Sequence, residues 1–338
     1  MILKRRLELL SRLGNYMRGE DAPWQEVKQR AFMENGWFMP EFVELAVKNI
    51  AENFLEKDKL DDWVRHYNRA GNHEESNVYT RTVGIVMAGN IPLVGFHDFL
   101  SVFASGHKAA IKPSSRDNVL IRHIVEKLRR WNPEMTEWVS FSEILRNCDA
   151  YIATGSNNTS RYFEYYFAKY HHIIRRNKTS VAILNGDETD DELERLADDV
   201  FQFFGLGCRN VTKIFVPLRY KFEHLLTAFR KYSRLADHNK YKNNLDYNMT
   251  IHILNKKFYM TNGSVLLVEE PSIFSPISQL NYEYYTEKGE LLSLLHDSQD
   301  IQSVVARDHI PFGEAQRPTL FDYADNMDTM AFLHSLKT

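Results

Sequence analysis

The chain has 338 residues, 43% of them hydrophobic, with 42 basic against 45 acidic side chains and no long basic run. That length exceeds what one compact core serves, so two domains are expected. The near-balanced charge argues against nucleic acid or a membrane surface as the main partner and points to a small molecule.

Residues 1–70 carry helical spacing with many charges and aromatics (ELLSRLGNYM, PEFVELAVKNIAENFL), which predicts helices that cover a sheet or contact a substrate. From Tyr79 the texture changes. TRTVGIVMAGN predicts a buried strand ending in a glycine turn, followed by a helix over 93–105, the short strand HKAAIKP and a helix over 118–131. CDAYIATGS adds a strand and turn, 158–170 another helix, and HHIIRR a further strand. Apolar strands alternating with helices predict a mostly parallel sheet covered on both faces, with ligands at the carboxyl ends of its strands. Three turns stand at such ends, AGNIP, IKPSS and ATGSN, and none is a GxGxxG fingerprint.

Past SVAILNGDE, Thr189 and Glu192 have capping-box spacing and open a helix that runs to about Phe204, where Gly205 can end it with positive φ. KIFVP, MTIHILN and SVLLVEE read as strands, and an amphipathic helix near 328–336 closes the chain. The domains are expected at 1–175 and 176–338. No stretch approaches the roughly 20 apolar residues of a spanning helix, and MILKRRLELLSRLG has no uninterrupted apolar region before a cleavage site. A cytoplasmic protein with reduced cysteines is the expectation.

Cys208 stands between a glycine pair and an apolar strand in FQFFGLGCRNVTKIFVP, a joint rather than a packing position. Glycines let the backbone approach a reacting centre, and Arg209 adds positive charge that favours a thiolate. The plainer reading is a turn cysteine beside a core. Cys148, in NCDAYIA without glycine neighbours, reads as packing. Asn90 could donate to an oxyanion or merely satisfy its own turn, and Lys112 could meet a ribose or phosphate or merely be solvated. The ATGSN turn (Thr154, Gly155, Ser156) offers amides and hydroxyls to a phosphate. His171 and His172 point to opposite faces of a strand, and no cluster has metal-ligand spacing, so no metal is expected. Phe201, Phe203 and Phe204 could wall an acyl channel but fit plain core better.

In this order, Asn-x-Pro, Lys-Pro-Ser, Thr-Gly-Ser and Gly-x-Gly-Cys resemble the aldehyde dehydrogenase superfamily. EEPSIFSPI is similar to its Glu-x-Phe-Gly-Pro region and PFGEAQRP to its Pro-Phe-Gly-Gly loop, so the likeness spans roughly residues 80–325. The terminal run FGEAQRPTLFDYADNMDTMAFL is similar to the end of bacterial acyl-CoA reductases of the LuxC type.

The resemblance implies an α/β fold of two Rossmann-like parallel-sheet domains with a cleft between them. It implies NADPH-dependent reduction of a fatty acyl-CoA, or another acyl thioester, to the aldehyde. Cys208 would carry the acyl group as a thioester, and Asn90 with the Cys208 N–H would line the oxyanion hole. Lys112 and Ser114 would hold the adenosine ribose, Thr154, Gly155 and Ser156 the pyrophosphate, and Phe274 the nicotinamide end.

Ser115 and Arg116 stand where many NAD-preferring relatives have a glutamate, which favours NADP(H), since they welcome a 2′-phosphate that a carboxylate repels. If Lys178 matches the lysine of the Glu-Leu-Gly-Gly-Lys motif, the position of the water-activating glutamate holds Ile174, which argues for a reductase. Ser272 replaces a glutamate on the nicotinamide ribose, while Phe274 and Pro276 persist. Two alternatives remain open: reduction of another activated acid, such as an acyl phosphate or an acyl group taken from a partner enzyme, and a catalytically silent nucleotide-binding relative. The chain is shorter than typical superfamily members, and its oligomeric state does not carry over.

Overall fold

The structure is a computed structural model that describes residues 1–69, 80–155 and 157–336. The change of texture at Tyr79 and the candidate Ser156 lie outside the described residues. The chain forms two compact units, Met1–Asn177 with Pro318–Thr338, and Lys178–Arg317.

The first unit opens with four helices, α1 (Leu3–Met17), α2 (Ala22–Glu34), α3 (Pro40–Asn53) and α4 (Lys57–Arg69). They are amphipathic in the expected way: Leu9, Leu10 and Leu13 of α1 and Val43, Val47 and Ile50 of α3 are buried in one core cluster. There follow β1 (Thr82–Val86), α5 (Phe96–Ser105), β2 (Lys108–Lys112), α6 (Val119–Trp131), α7 (Met135–Trp138), β3 (Val139–Phe141), β4 (Ala150–Thr154), α8 (Asn157–Phe167) and β5 (His171–Arg175). The five strands are all parallel, in the order β3-β2-β1-β4-β5. The chain reverses its winding between β1 and β4, and such a switch point is where open α/β sheets bind ligands.

The second unit runs β6 (Thr179–Ile183), α9 (Asp190–Phe201), β7 (Val211–Pro217), α10 (Phe222–Ala228), α11 (Asn239–Leu254), β8 (Met260–Thr261), β9 (Leu266–Glu269), β10 (Gln279–Tyr285), α12 (Lys288–His296) and β11 (Ile301–Val305). Its sheet has the order β11-β6-β7-β10-β9-β8, parallel except for β8 against β9. A last helix, α13 (Thr329–Ser335), returns to the first unit.

Residues 318–336, assigned from sequence to the second domain, thus pack in the first. Leu320, Tyr323, Met330 and Leu333 are buried in the same cluster as α1 and α3. Trp63 Nε1 donates to the Tyr323 hydroxyl at 2.8 Å, and Arg175 donates to Thr329 Oγ1 at 2.7 Å and to Asp98 Oδ2 at 2.6 Å, all buried.

Three other expectations change. MTIHILN is the end of α11 rather than a strand. Tyr241, Leu245, Asn248 and His252 are buried at spacings of four, three and four, so the helical face overrides the local β-branched run. The helix expected from 93 begins at Phe96, because Leu93 takes φ 57°. The helix opened by the Thr189–Glu192 capping box is present but stops at Phe201. Phe203, Phe204 and Gly205 then take φ of 55°, 58° and 73°, a left-handed turn that glycine alone adopts without strain.

Candidate active site

In the first unit the expected turns stand at the carboxyl ends of β2, β1 and β4, which are neighbours in register: Val86 lies level with Lys112 and with Ala153. The Asn90 turn and the Lys112–Arg116 loop are locked together by backbone. Met87 N–H donates to Lys112 O at 3.0 Å, and a Cβ added to Gly89 would meet Ser114 Cβ at 2.7 Å, so only glycine permits this approach. Ser114 Oγ accepts from Arg116 N–H at 3.2 Å, and Ser114 O from Asp117 N–H at 3.2 Å. Ser114 is therefore committed to shaping its own loop. Asn90 is half-buried, whereas Lys112, Ser115 and Arg116 are exposed.

Asp117 was not singled out by the sequence, yet it closes this loop. Its Oδ2 accepts from Leu93 N–H at 2.6 Å, tying the segment after Asn90 to the loop after β2, and its Oδ1 is buried with no partner. Burial pushes its carboxyl up to about 7, against the lowering effect of the Leu93 N–H. Arg116 O accepts from the buried Asn35 side chain at 3.2 Å, which anchors the same loop to the end of α2. Thr154 ends β4, Gly155 N–H donates to Arg175 O at 3.3 Å, and α8 starts two residues on.

Two adjacent carboxyl-end turns flanking the switch point, a helix start beside one of them, and exposed Lys112 and Arg116 form a donor set that suits an anionic dinucleotide. Ile174, at the position discussed above for a glutamate base, is a buried residue of β5.

In the second unit Cys208 is half-buried in the turn that enters β7. The turn is shaped by Asn210, which is fully buried. Asn210 Oδ1 accepts from Gly207 N–H at 2.8 Å, while its Nδ2 lies 3.0 Å from Asp199 O, 2.9 Å from Gln202 O and 3.4 Å from Val200 O. One side chain thus satisfies carbonyls left open at the end of α9 and fixes the glycine before the thiol. Ser180 Oγ donates to Cys208 O at 3.1 Å.

Asp199, buried on the apolar side of α9 beside Leu196 and Val200, accepts from Gly313 N–H at 2.7 Å and Ala315 N–H at 3.0 Å. It holds the PFGEA loop against the helix that leads to Cys208. Burial pushes its carboxyl up to about 7.

Phe274 is half-buried in the segment that enters β10, the parallel neighbour of β7, so this segment and the Cys208 turn feed the amino ends of adjacent strands. Ser272 Oγ donates to Phe274 O at 2.9 Å, a turn-shaping role.

Phe201, Phe203 and Phe204 are core residues with at most 4% exposure. The void beside Phe201 and Phe204, lined also by Thr212, Tyr241 and Ile277, measures about 20 Å³, room for about one water and not for an acyl chain. Cys148 packs with Ala110 and Tyr151, and burial pushes its thiol up.

Among the described residues no group of three or more His, Cys, Asp or Glu could hold a metal ion, and no helix is long and apolar enough to cross a membrane. Asp117, Asp199, Asn210, Lys213 and Asn281 were not identified from sequence. The available signal was a polar side chain at an apolar position, as Asp199 in α9 and Lys213 in VTKIFVP.

No curated protein matches the chain by sequence. Among solved structures, aldehyde dehydrogenase 21 from Physcomitrella patens, in complex with its product succinate, superposes with a TM-score of 0.67 at 14% identity, over 91% of this chain and 74% of that one. The NAD+ complex of an aldehyde dehydrogenase from Bacillus cereus gives 0.62 at 14% identity over 88% and 70%. An aldehyde dehydrogenase from Mycobacterium tuberculosis complexed with NAD+ gives 0.64 at 13% identity over 88% and 71%. At these identities the likeness establishes the fold, that of the aldehyde dehydrogenases with its two Rossmann-like domains. The acyl-CoA reductase (LuxC) family model matches residues 29–228, more than half of the chain. The chain therefore belongs to the LuxC acyl-CoA reductase family, an oxidoreductase acting on acyl groups on the aldehyde dehydrogenase fold.

Proposed function

We propose that the protein reduces a fatty acyl-CoA, or a related acyl thioester, to the aldehyde with NADPH, through a thioester on Cys208. The observation that carries this reading is the half-buried Cys208 on a glycine turn held by a buried asparagine, in a chain of the acyl-CoA reductase family. The Cys208 thiolate attacks the acyl carbon, the bond to the coenzyme A sulfur breaks, and coenzyme A leaves as its thiolate. Asn90 and the Cys208 N–H stabilise the thiohemiacetal oxyanion that forms when the thioester carbon gains a hydride, and its C–S bond then breaks to release the aldehyde and regenerate the Cys208 thiolate. Bound NADPH would supply the hydride.

Lys112 and Ser114 would hold the ribose of the dinucleotide, Ser115 and Arg116 its 2′-phosphate, Thr154 and Gly155, with Ser156 next to them in sequence, its pyrophosphate, and Phe274 its nicotinamide end. Exposed Ser115 and Arg116 support the preference for NADPH, since a guanidinium pairs with phosphate in a charge-assisted way. Ile174 supports reduction over hydrolysis, because an isoleucine cannot activate water.

An absorbance assay of NADPH and NADH oxidation with acyl-CoA and with acyl phosphate tests the reading. Acyl-CoA with NADPH should be the best pair, and Cys208→Ala should abolish the signal. Full thioester-dependent oxidation by Cys208→Ala, or turnover of acyl phosphate alone, would refute it.

A further inference from the structure

The segment from Glu270 to Phe274 has no regular secondary structure, yet each of its five consecutive carbonyls accepts a hydrogen bond from a side chain. Lys213 Nζ donates to Glu270 O at 3.0 Å and Pro271 O at 2.7 Å. Asn281 Nδ2 donates to Ser272 O at 2.9 Å and Phe274 O at 3.1 Å. Thr212 Oγ1 donates to Ile273 O at 2.6 Å.

Thr212 and Lys213 belong to β7, Asn281 to β10, and Lys213 and Asn281 are partners in the register of the two strands. Lys213 is 1% exposed, and its third N–H pairs with Glu283, so its ammonium is saturated. Asn281 is also 1% exposed, and its Oδ1 accepts from Gln279 Nε2 at 2.8 Å.

A buried lysine and a buried asparagine are costly unless their hydrogen bonds are complete, and here one short loop takes most of them, with Glu283 and Gln279 supplying the rest. Apolar residues would fill the same space in a sheet core at lower cost. Five carbonyls fixed in direction leave the peptide planes from 270 to 274 almost no freedom, and this sets the direction in which the Cα–Cβ bond of half-buried Phe274 leaves the loop.

We propose that Lys213 and Asn281 are positioning residues that aim Phe274 at the nicotinamide ring, so that they govern hydride transfer and not acyl loading. The inference rests on the reading of Phe274 as a nicotinamide contact. A shift of about 1 Å in a group that orients a reacting ring costs on the order of 100-fold in rate.

The test separates the half-reactions in Lys213→Met, Asn281→Leu and the conservative Lys213→Arg. Emission of bound NADPH is recorded without acyl substrate, acyl loading of Cys208 by mass spectrometry without NADPH, and reduction of the loaded enzyme by stopped flow. In Lys213→Met and Asn281→Leu, bound NADPH emission should move toward that of free NADPH. Reduction should fall about 10- to 100-fold while loading stays within about twofold, and Lys213→Arg should recover part of the loss.

Equal losses in loading and reduction would reduce both residues to structural supports and overturn the inference, as would unchanged emission and reduction. If Lys213→Met fails to fold, Asn281→Leu, which retains the lysine clamp, decides. Absence of loading in the wild type would instead defeat the covalent reading, and the emission comparison would still judge the positioning role.

Discussion

The two units present their candidate groups at opposite edges of a parallel sheet. In the first, Asn90 and Gly155 follow the carboxyl ends of β1 and β4 and Lys112 ends β2, and in the second, Cys208 and Phe274 precede the amino ends of β7 and β10. A carboxyl edge leads into helix starts and offers free N–H groups, which suit phosphates without further support. There the close approach of Gly89 to the Ser114 side chain is joined by the bond from Leu93 N–H to Asp117. An amino edge receives helix ends and incoming loops, and so collects carbonyls that need donors. The second unit supplies them from buried side chains: Asn210 at the end of α9, Ser180 at Cys208 O, and Thr212, Lys213 and Asn281 along 270–274. Side chains thus shape the turns of both units, but in the first Ser114 and Asp117 accept from N–H groups, whereas in the second the buried side chains mainly donate to carbonyls.

Paired asparagine deletions put the sharpest strain on this contrast. Asn90→Ala should lower the reduction rate about 10²- to 10³-fold if Asn90 serves as the proposed oxyanion donor. Asn210→Ala should destabilise the protein by about 3 kcal/mol, because it strands buried carbonyls and the Gly207 N–H, and should change the alkylation rate of Cys208. Unchanged stability together with an unchanged Cys208 alkylation rate in Asn210→Ala would show that buried side chains do not hold the turn of the second unit.

A smaller effect comes from Asp117, the side-chain latch of the first unit. Its folded-state pKa of about 7 lies above the ordinary 3.8, so the folded protein keeps this proton where the unfolded chain has lost it. The resulting stability is fully present below about pH 3.8, declines as pH rises, and is gone once pH passes about 7. Asp117→Asn removes this component. Its stability relative to wild type in urea titrations should therefore rise between pH 4 and pH 7, by at most about 1.4 kcal/mol per pH unit. A flat difference across that range would show that Asp117 is ionised throughout.

Much of this architecture is written in hydrophobic period and turn residues. The strands TVGIV and AYIAT are apolar runs bounded by turns, and the Thr189–Glu192 capping box sets a helix start that the structure reproduces. The end of α11 was missed because MTIHIL has β-branched composition, and only the buried face shared with Tyr241 and Leu245 reveals a helix. The tail was misassigned because adjacency in sequence does not report a return to an earlier core. Among the candidate groups, the turn position of Cys208 and the strand-end positions of the three turns were legible from glycine and motif order. The roles of Lys213, Asn281 and Asn210 were not, because even where a charge stands out in an apolar strand, as Lys213 does, its carbonyl partners leave no side-chain pattern.

Mass spectrometry of the protein after incubation with acyl-CoAs of graded length, in the absence of any reductant, bears most directly on the covalent role of Cys208. A single acyl adduct mapped to Cys208, absent in Cys208→Ala and discharged when NADPH is added, is the predicted result. An adduct on another residue, or turnover of acyl-CoA by a protein that never carries one, would contradict it.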